Sequence, residues 1–358
     1  MGLARERMNL YAEGLPPNVV ETIQGARAGS TRKQYDIAWK VFERWCAGRP
    51  GQVVPFQASV ATVLTFLQDL LDKGKSHSTV KVNLAAISAC HVGFGDKALS
   101  EAPLVRKFMR GARKARPVTR SLVPPWDLSL VLGGLSGPPF EPLEAVSLKF
   151  LTLKTALLVA LTTAKRVSDV QALSISPDCT VFSGDRMRVR VRPNPAFVPK
   201  NPNSVCAPVD LRSFHPPPFE SEEDRRLHCL CPVRALRVYL DRTAAFRKDG
   251  NQMFVAWGSS AKGKSVTKVR ISQWIVEAIQ LAYGCTGTQP PVGLRAHSTR
   301  SISASWALYK GVSIQDVCAA ASWSSPSTFA RFYNLDMSEP SVAHAVLDAA
   351  SGRSGSLM

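Results

Sequence analysis

From Ser30 onward the chain sets apolar against polar positions with a helical period. Tyr35, Trp39, Phe42 and Cys46 recur at steps of three or four, which predicts an amphipathic helix that Thr31 can cap. Ser59 opens a second helix with Val63, Leu67, Leu70 and Leu71 on one stripe. Ser78 and Thr79 open a third, running through Val82, Leu84, Ile87 and Cys90, and Pro103 begins a fourth, from Leu104 to about Arg116. Short turns marked by Gly and Pro join the four, so residues 28–118 predict a compact helical domain. Ahead of it, residues 1–27 show little periodicity and read as a flexible N-terminal arm.

The pattern changes after residues 119–125, a basic segment ending in Pro124-Pro125 that reads as an interdomain linker. Helices are expected at 127–134, 147–164 and 167–173. Val181-Phe182 and Met187 to Val191, β-branched and alternating with arginine, read as strands, with a third at Cys206 to Leu211. The Pro-rich, acidic stretch 215–224 reads as a loop. It leads to a helix from Pro232 to about Thr243, a short strand at Met253 to Trp257 and a helix at about 268–282. Residues 299–349 read as helical with breaks near Gly311, Pro326 and Pro340. The expected fold is mainly α with a small sheet: a helical first domain, an α+β second domain over 126–350, and a tail at 351–358.

Composition narrows the partners. With 45 Lys and Arg against 27 Asp and Glu, the 358 residues carry a formal charge of +18, which attracts polyanions. The most apolar run, Ala156 to Ala164, is bounded by Lys154 and Lys165 and is too short to span a bilayer, so nucleic acid is favoured over membrane. No apolar signal segment opens the chain, which leads us to expect an intracellular protein whose eight scattered cysteines are reduced. His228, Cys229 and Cys231 lack the spacing of a zinc knuckle and read as a helix start; no metal site is expected. Arg106, Lys107, Arg110, Arg113, Lys114, Arg116 and Arg120 form a run without acids, suited to lie along a phosphate backbone.

Three segments could carry chemistry. In His297-Ser298-Thr299-Arg300 the imidazole and guanidinium, three apart on a helix, can converge on one anion. Arg166 follows an apolar helix, with Asp169 three residues on, able to orient it. Trp323 precedes a Ser/Pro break that can cap a new helix ending near Tyr333.

In this order the residues resemble the tyrosine recombinases, or phage integrases, and most closely those of eukaryotic retrotransposons of the DIRS and Ngaro kind. The resemblance spans roughly residues 28–349, so that 28–118 corresponds to the core-binding domain and 126–350 to the catalytic domain. The segment Arg192-Pro-Asn-Pro-Ala-Phe-Val-Pro-Lys200 resembles the one that carries the family lysine. Many members place the tyrosine nine residues after the His or Trp; here that position is Phe332 and Tyr333 is the tenth, a Phe-Tyr pair typical of the retrotransposon branch.

The resemblance implies a DNA recombinase in which Tyr333 attacks the phosphodiester and a 3′-phosphotyrosine is resolved by a 5′-hydroxyl, without metal or ATP. Arg166 and Arg300 would clamp the phosphate, His297 and the Trp323 indole would donate to its oxygens, and Lys200 would protonate the leaving 5′ oxygen. A free phenol has a pKa of about 10, so Tyr333 needs this positive pocket or a base such as His297. A tetramer on paired DNA sites, in the nucleus, is also implied, with Ser341 to Ala350 a candidate for docking on a neighbouring protomer. The alternatives are a type IB-like topoisomerase and a host-adopted DNA-binding protein that has lost catalysis.

One competing motif stands apart. Gly258-Ser-Ser-Ala-Lys-Gly263-Lys264-Ser265 matches the nucleotide-binding P-loop pattern literally. The following Val-Thr-Lys-Val-Arg is a poor apolar helix start and no magnesium-binding strand end follows. The segment therefore reads as a basic loop whose Lys264 touches DNA.

Overall fold

In a computed structural model of the chain, residues 2–51, 53–93, 98–117, 120–200, 207–248, 250–258 and 260–337 are described. The chain divides into two compact units, 1–120 and 121–358.

The first unit is helical: α1 (Gly2–Ala12), α2 (Pro17–Gly25), α3 (Gly29–Ala47), α4 (Val60–Asp72), α5 (His77–Cys90) and α6 (Pro103–Ala115). Its core is the apolar stripes of α3 to α6, among them Trp39, Phe42, Val63, Phe66, Leu67, Ile87 and Val105. Ser59 caps α4 as the sequence suggests, its hydroxyl accepting from Thr62 N at 3.1 Å, and Pro103 occupies the first turn of α6. Two starts shift. α3 begins ahead of Thr31, at Gly29, and α5 is capped by Ser76 rather than Ser78. In place of a flexible arm, α1 and α2 pack on the bundle: Val20 is fully buried and Asn9 Nδ2 donates to Cys90 O at 3.1 Å. Glu6, buried on α1, pairs with Arg27 at 2.5 Å. A charge at an inward position is what erased the helical stripe from the sequence.

The second unit is built around α8 (Leu148–Thr163), preceded by α7 (Leu128–Leu135) and followed by α9 (Val167–Gln171). Leu151 through Leu161 are buried, so α8 is enclosed on all sides, and even Lys154 within it is fully buried. Lys154 Nζ donates to Leu135 O at 2.7 Å and to Glu141, which also receives Arg234. Burial lowers the Lys154 pKa, and the Glu141 carboxylate opposes that fall.

A three-stranded antiparallel sheet follows: β1 (Thr180–Phe182), β2 (Arg188–Val191) and β3 (Val209–Arg212), with Val189 opposite Leu211. Val189 and Val191 face the core while Arg188 and Arg190 face out, the two-residue alternation that the sequence showed. Cys206, expected in the third strand, lies outside the described residues, as does the 341–350 helix.

Then come α10 (Glu222–His228), α11 (Pro232–Ala244), α12 (Lys268–Cys285), α13 (Ser298–Tyr309), α14 (Ile314–Ala321) and α15 (Pro326–Phe332). The 215–224 loop is thus shorter than expected: Ser221 caps α10 and three acids fill its first turn. Cys231, read as a helix start, caps α11 by accepting from Arg234 N. The strand expected at Met253–Trp257 reduces to isolated bridges, Ser174 to Gln252 and Val255 to Ser265. α7 and α12 touch at Gly134, where a Cβ would stand 2.6 Å from Ala282 O. Among the described residues no helix is long and apolar enough to cross a membrane.

Candidate active site in the second unit

The site begins where α8 stops. Ala164 takes a left-handed conformation (φ 49°), which ends the helix and turns Lys165 inward and Arg166 to the start of α9. Asp169, buried in the first turn of α9, accepts from Arg166 N at 3.4 Å and from Ser168 Oγ at 3.1 Å. The acid therefore holds the backbone of Arg166 and leaves its half-buried guanidinium available.

α13 delivers the second cation. Trp126 Nε1 donates to Ser298 Oγ at 2.8 Å, fixing the helix start, so His297 stands at the N-cap and Arg300 in the first turn. Arg300 is 1% exposed. Its Nη1 donates to Ala164 O at 3.0 Å and its Nη2 to Ala321 O at 2.5 Å, which satisfies carbonyls at the ends of α8 and α14. Burial pulls the Arg300 pKa down to about 10, with Arg166 adding to the fall and Tyr333 and Asp169 opposing it; the group stays charged at neutral pH.

Trp323 and Tyr333 come from the two sides of α15. Ser325 caps that helix through Ser327 N, and Tyr333 ends it. The Tyr333 ring lies 4.6 Å from the Trp323 ring and 5.6 Å from His297, and the Arg300 guanidinium sits 4.5 Å over Trp323 and 5.2 Å from Tyr333. Behind them Ala304, Val317, Cys318, Ala321 and Phe329 form a small apolar backing. Two buried donors, Arg300 Nε and Trp323 Nε1, have no hydrogen-bond partner among the described residues.

His297 has its pKa lowered, first by desolvation and then by the charges of Arg300, Arg166 and Lys200, so the imidazole is neutral at pH 7. Lys200 itself is exposed, on the connection between β2 and β3, close enough for its charge to reach His297. The structure thus clusters Arg166, Asp169, His297, Arg300, Trp323 and Tyr333, with the Lys200 charge within reach of His297.

The remaining expected residues belong to other segments of the chain. Arg106, Lys107, Arg110, Arg113, Lys114 and Arg116 are exposed on or beside α6 in the first unit, where Arg116 also donates to Leu71 O; Arg120 is half-buried. Lys264 is exposed, but Ala256 N donates to Lys264 O within a tight hairpin, and α12 starts only at Lys268. The lysine of the P-loop-like pattern is therefore not at a helix N-terminus, where phosphate binding needs it.

Two side chains were not singled out in the sequence. Ser305, on α13, donates to Tyr333 O at 3.1 Å and accepts from Leu335 N at 2.8 Å, clamping the turn that carries the tyrosine. Lys165, 4% exposed, donates to Ser322 Oγ at 2.7 Å and Ala207 O at 3.3 Å. Neither bond is local, so neither leaves a spacing signal.

No protein-family model matches the chain, and no curated protein matches it. Solved structures do match. The Tn1549 transposon integrase bound to transposon right-end DNA is 12% identical, with 97% of this chain and 99% of that one covered at a TM-score of 0.56. The fold is that of the tyrosine recombinases. The XerH site-specific recombinase on a palindromic difH substrate is 13% identical over 90% of this chain and 79% of its own, at 0.54. A lambda integrase dimer bound to a COC' core site is 15% identical over 95% and 79%, at 0.52.

Proposed function

We propose that the chain is a site-specific DNA recombinase that cuts and rejoins strands through a covalent bond between Tyr333 and a 3′ phosphate. The observation that carries this reading is the pair of unserved buried donors, Arg300 Nε and Trp323 Nε1, beside the Tyr333 ring. Burying an N–H without an acceptor is unfavourable, and a phosphate oxygen is the acceptor that suits a cation and an indole together.

The chemistry follows from placement. The Tyr333 oxygen attacks phosphorus while its proton passes to a base, a role open to the neutral His297. Charge growing on the non-bridging oxygens meets Arg166, Arg300 and the Trp323 N–H. The bond to the 5′ oxygen breaks as Lys200 gives that oxygen a proton. A 5′-hydroxyl of another strand then attacks the phosphotyrosine and restores the phenol. The linkage conserves the phosphodiester bond energy, so the reaction calls for no ATP, and its charge stabilisation comes from side chains rather than a metal.

Within this reading the exposed cations of α6, with Arg120 and Lys264, track the DNA backbone. Exchange of two strand pairs calls for four protomers on paired sites. The Phe332-Tyr333 pair favours a recombinase of a DIRS- or Ngaro-type retrotransposon, acting in the nucleus on chromosomal DNA.

The test is a randomised pool of nicked suicide duplexes incubated with the purified chain and resolved under denaturing conditions. Wild type should leave a denaturation-resistant protein–DNA adduct, whose sequence reports the site, and Tyr333→Phe should leave none. An adduct with the phenylalanine variant would identify another nucleophile. DNA binding with no wild-type adduct would point to a DNA-binding protein without catalysis. An adduct that relaxes supercoils but never joins two sites would point to a topoisomerase.

A further inference from the structure

Directly behind the pocket a buried ammonium is tied to the turn that presents Trp323. Ala164 and Ser322 both have left-handed backbones (φ 49° and 53°), a conformation that side chains other than glycine adopt at some cost. Each ends a helix, α8 and α14, and the two turns face one another across the site. Two cations cross-tie them. Arg300 donates to Ala164 O and to Ala321 O, and Lys165 donates to Ser322 Oγ. Consecutive residues on one turn, 321 and 322, are therefore held by the two cations separately.

Trp323 comes next in the chain. Its backbone N–H donates to Cys318 O at 2.9 Å, so the peptide is anchored, and its indole direction depends on the strained Ser322 turn just before it. That indole carries the donor without a partner among the described residues. An ammonium is costly to bury and is held only where its N–H groups are served. Here Ala207 O accepts one bond, and a shorter one goes to the Ser322 hydroxyl, directly before Trp323.

We propose that Lys165 is a positioning residue that sets the Trp323 N–H against one non-bridging oxygen of the scissile phosphate, acting through the Lys165–Ser322 bond. The assignment rests on the recombinase reading above and adds a residue that touches neither DNA nor nucleophile. It also explains why a lysine, which reaches across to Ser322, stands directly before Arg166.

The experiment measures single-turnover cleavage on the trapped site with the native phosphate and with each of the two phosphorothioate diastereomers. Sulfur accepts hydrogen bonds weakly, so wild type should lose about tenfold on the diastereomer whose sulfur replaces the Trp323-facing oxygen. Trp323→Phe should slow the native substrate and erase that diastereomer's penalty. Lys165→Met should do the same, with the double variant no slower than Trp323→Phe alone. Should Lys165→Met fail to fold, Ser322→Ala removes the acceptor while keeping the lysine and must also erase the penalty. Equal slowing of all three substrates by Lys165→Met, with the sulfur penalty intact, would mean packing only and would overturn the assignment. So would a wild type indifferent to both diastereomers. A wild type that forms no adduct on any substrate would instead overturn the recombinase reading itself.

Discussion

Trp323→Phe separates a working donor from a core side chain, because the two roles predict opposite signs. In the resting fold Trp323 is 7% exposed and its Nε1 has no partner among the described residues. An unsatisfied buried donor costs about 1–3 kcal/mol, which the phenylalanine removes. Trimming the indole to a benzyl ring gives up packing against Phe329 and Arg300, a loss of about 1–2 kcal/mol for a partial large-to-small change. The net runs from a loss of about 1 to a gain of about 2 kcal/mol, so the melting temperature should fall by no more than about 4 °C, given about 2–4 °C per kcal/mol for a unit of this size. In the proposed cleavage the donor faces a phosphate, and a hydrogen bond to a charged group contributes about 1.5–3 kcal/mol. Its loss should slow adduct formation by about 10- to 150-fold. The assay pairs single-turnover cleavage of a suicide duplex with thermal unfolding of the same preparation. A variant that melts 10 °C lower yet cleaves at the wild-type rate would show that the indole only packs, and the donor argument would be refuted.

Three further outcomes follow from the same structure. Gly134→Ala puts a methyl 2.6 Å from Ala282 O, a contact between two helix backbones, and should destabilise the second unit by about 1–3 kcal/mol in urea unfolding; an unchanged midpoint would show that α7 and α12 part freely. The His297 pKa is lower folded than its unfolded value of about 6.5, so protons bind the unfolded chain first. Wild type should therefore lose stability relative to His297→Gln as pH falls below about 6.5, and parallel urea midpoints from pH 7.5 to 5 would contradict that. Replacing Arg106, Lys107 and Arg110 together by Ala should lower the slope of log K against log salt by about 3, if each meets one phosphate; an unchanged slope would remove α6 from the DNA interface.

What the sequence disclosed was whatever local physics writes into spacing. The stripe of α3, the Ser59 cap, the alternation of β2 and the Ser/Pro start of α15 are each set by neighbours within four residues. So is the His297–Arg300 pairing, since one helical turn brings both to the same end of α13. The misses have the opposite character. α1 hides because Glu6 turns inward to meet Arg27, twenty-one residues away. α10 hides because an acidic run reads as loop until Ser221 is seen to cap it. Lys165 reaches a hydroxyl 157 residues along the chain, and no periodicity carries information over that distance.

Arg300 shows why the pocket and the fold cannot be tuned independently at every position. One N–H of each Nη group is spent on Ala164 and Ala321, tying α8 to α14, while Nε has no partner among the described residues. Removing the guanidinium would strand two helix-end carbonyls and the stacked Trp323 at once, so loss of cleavage there would not distinguish chemistry from collapse. Trp323 has no such double duty through its N–H, and Lys165 reaches the turn before Trp323 through Ser322. The proposed chemistry of this corner is therefore best tested at the residues beside the arginine: the arginine builds the site, and its neighbours report what the site holds.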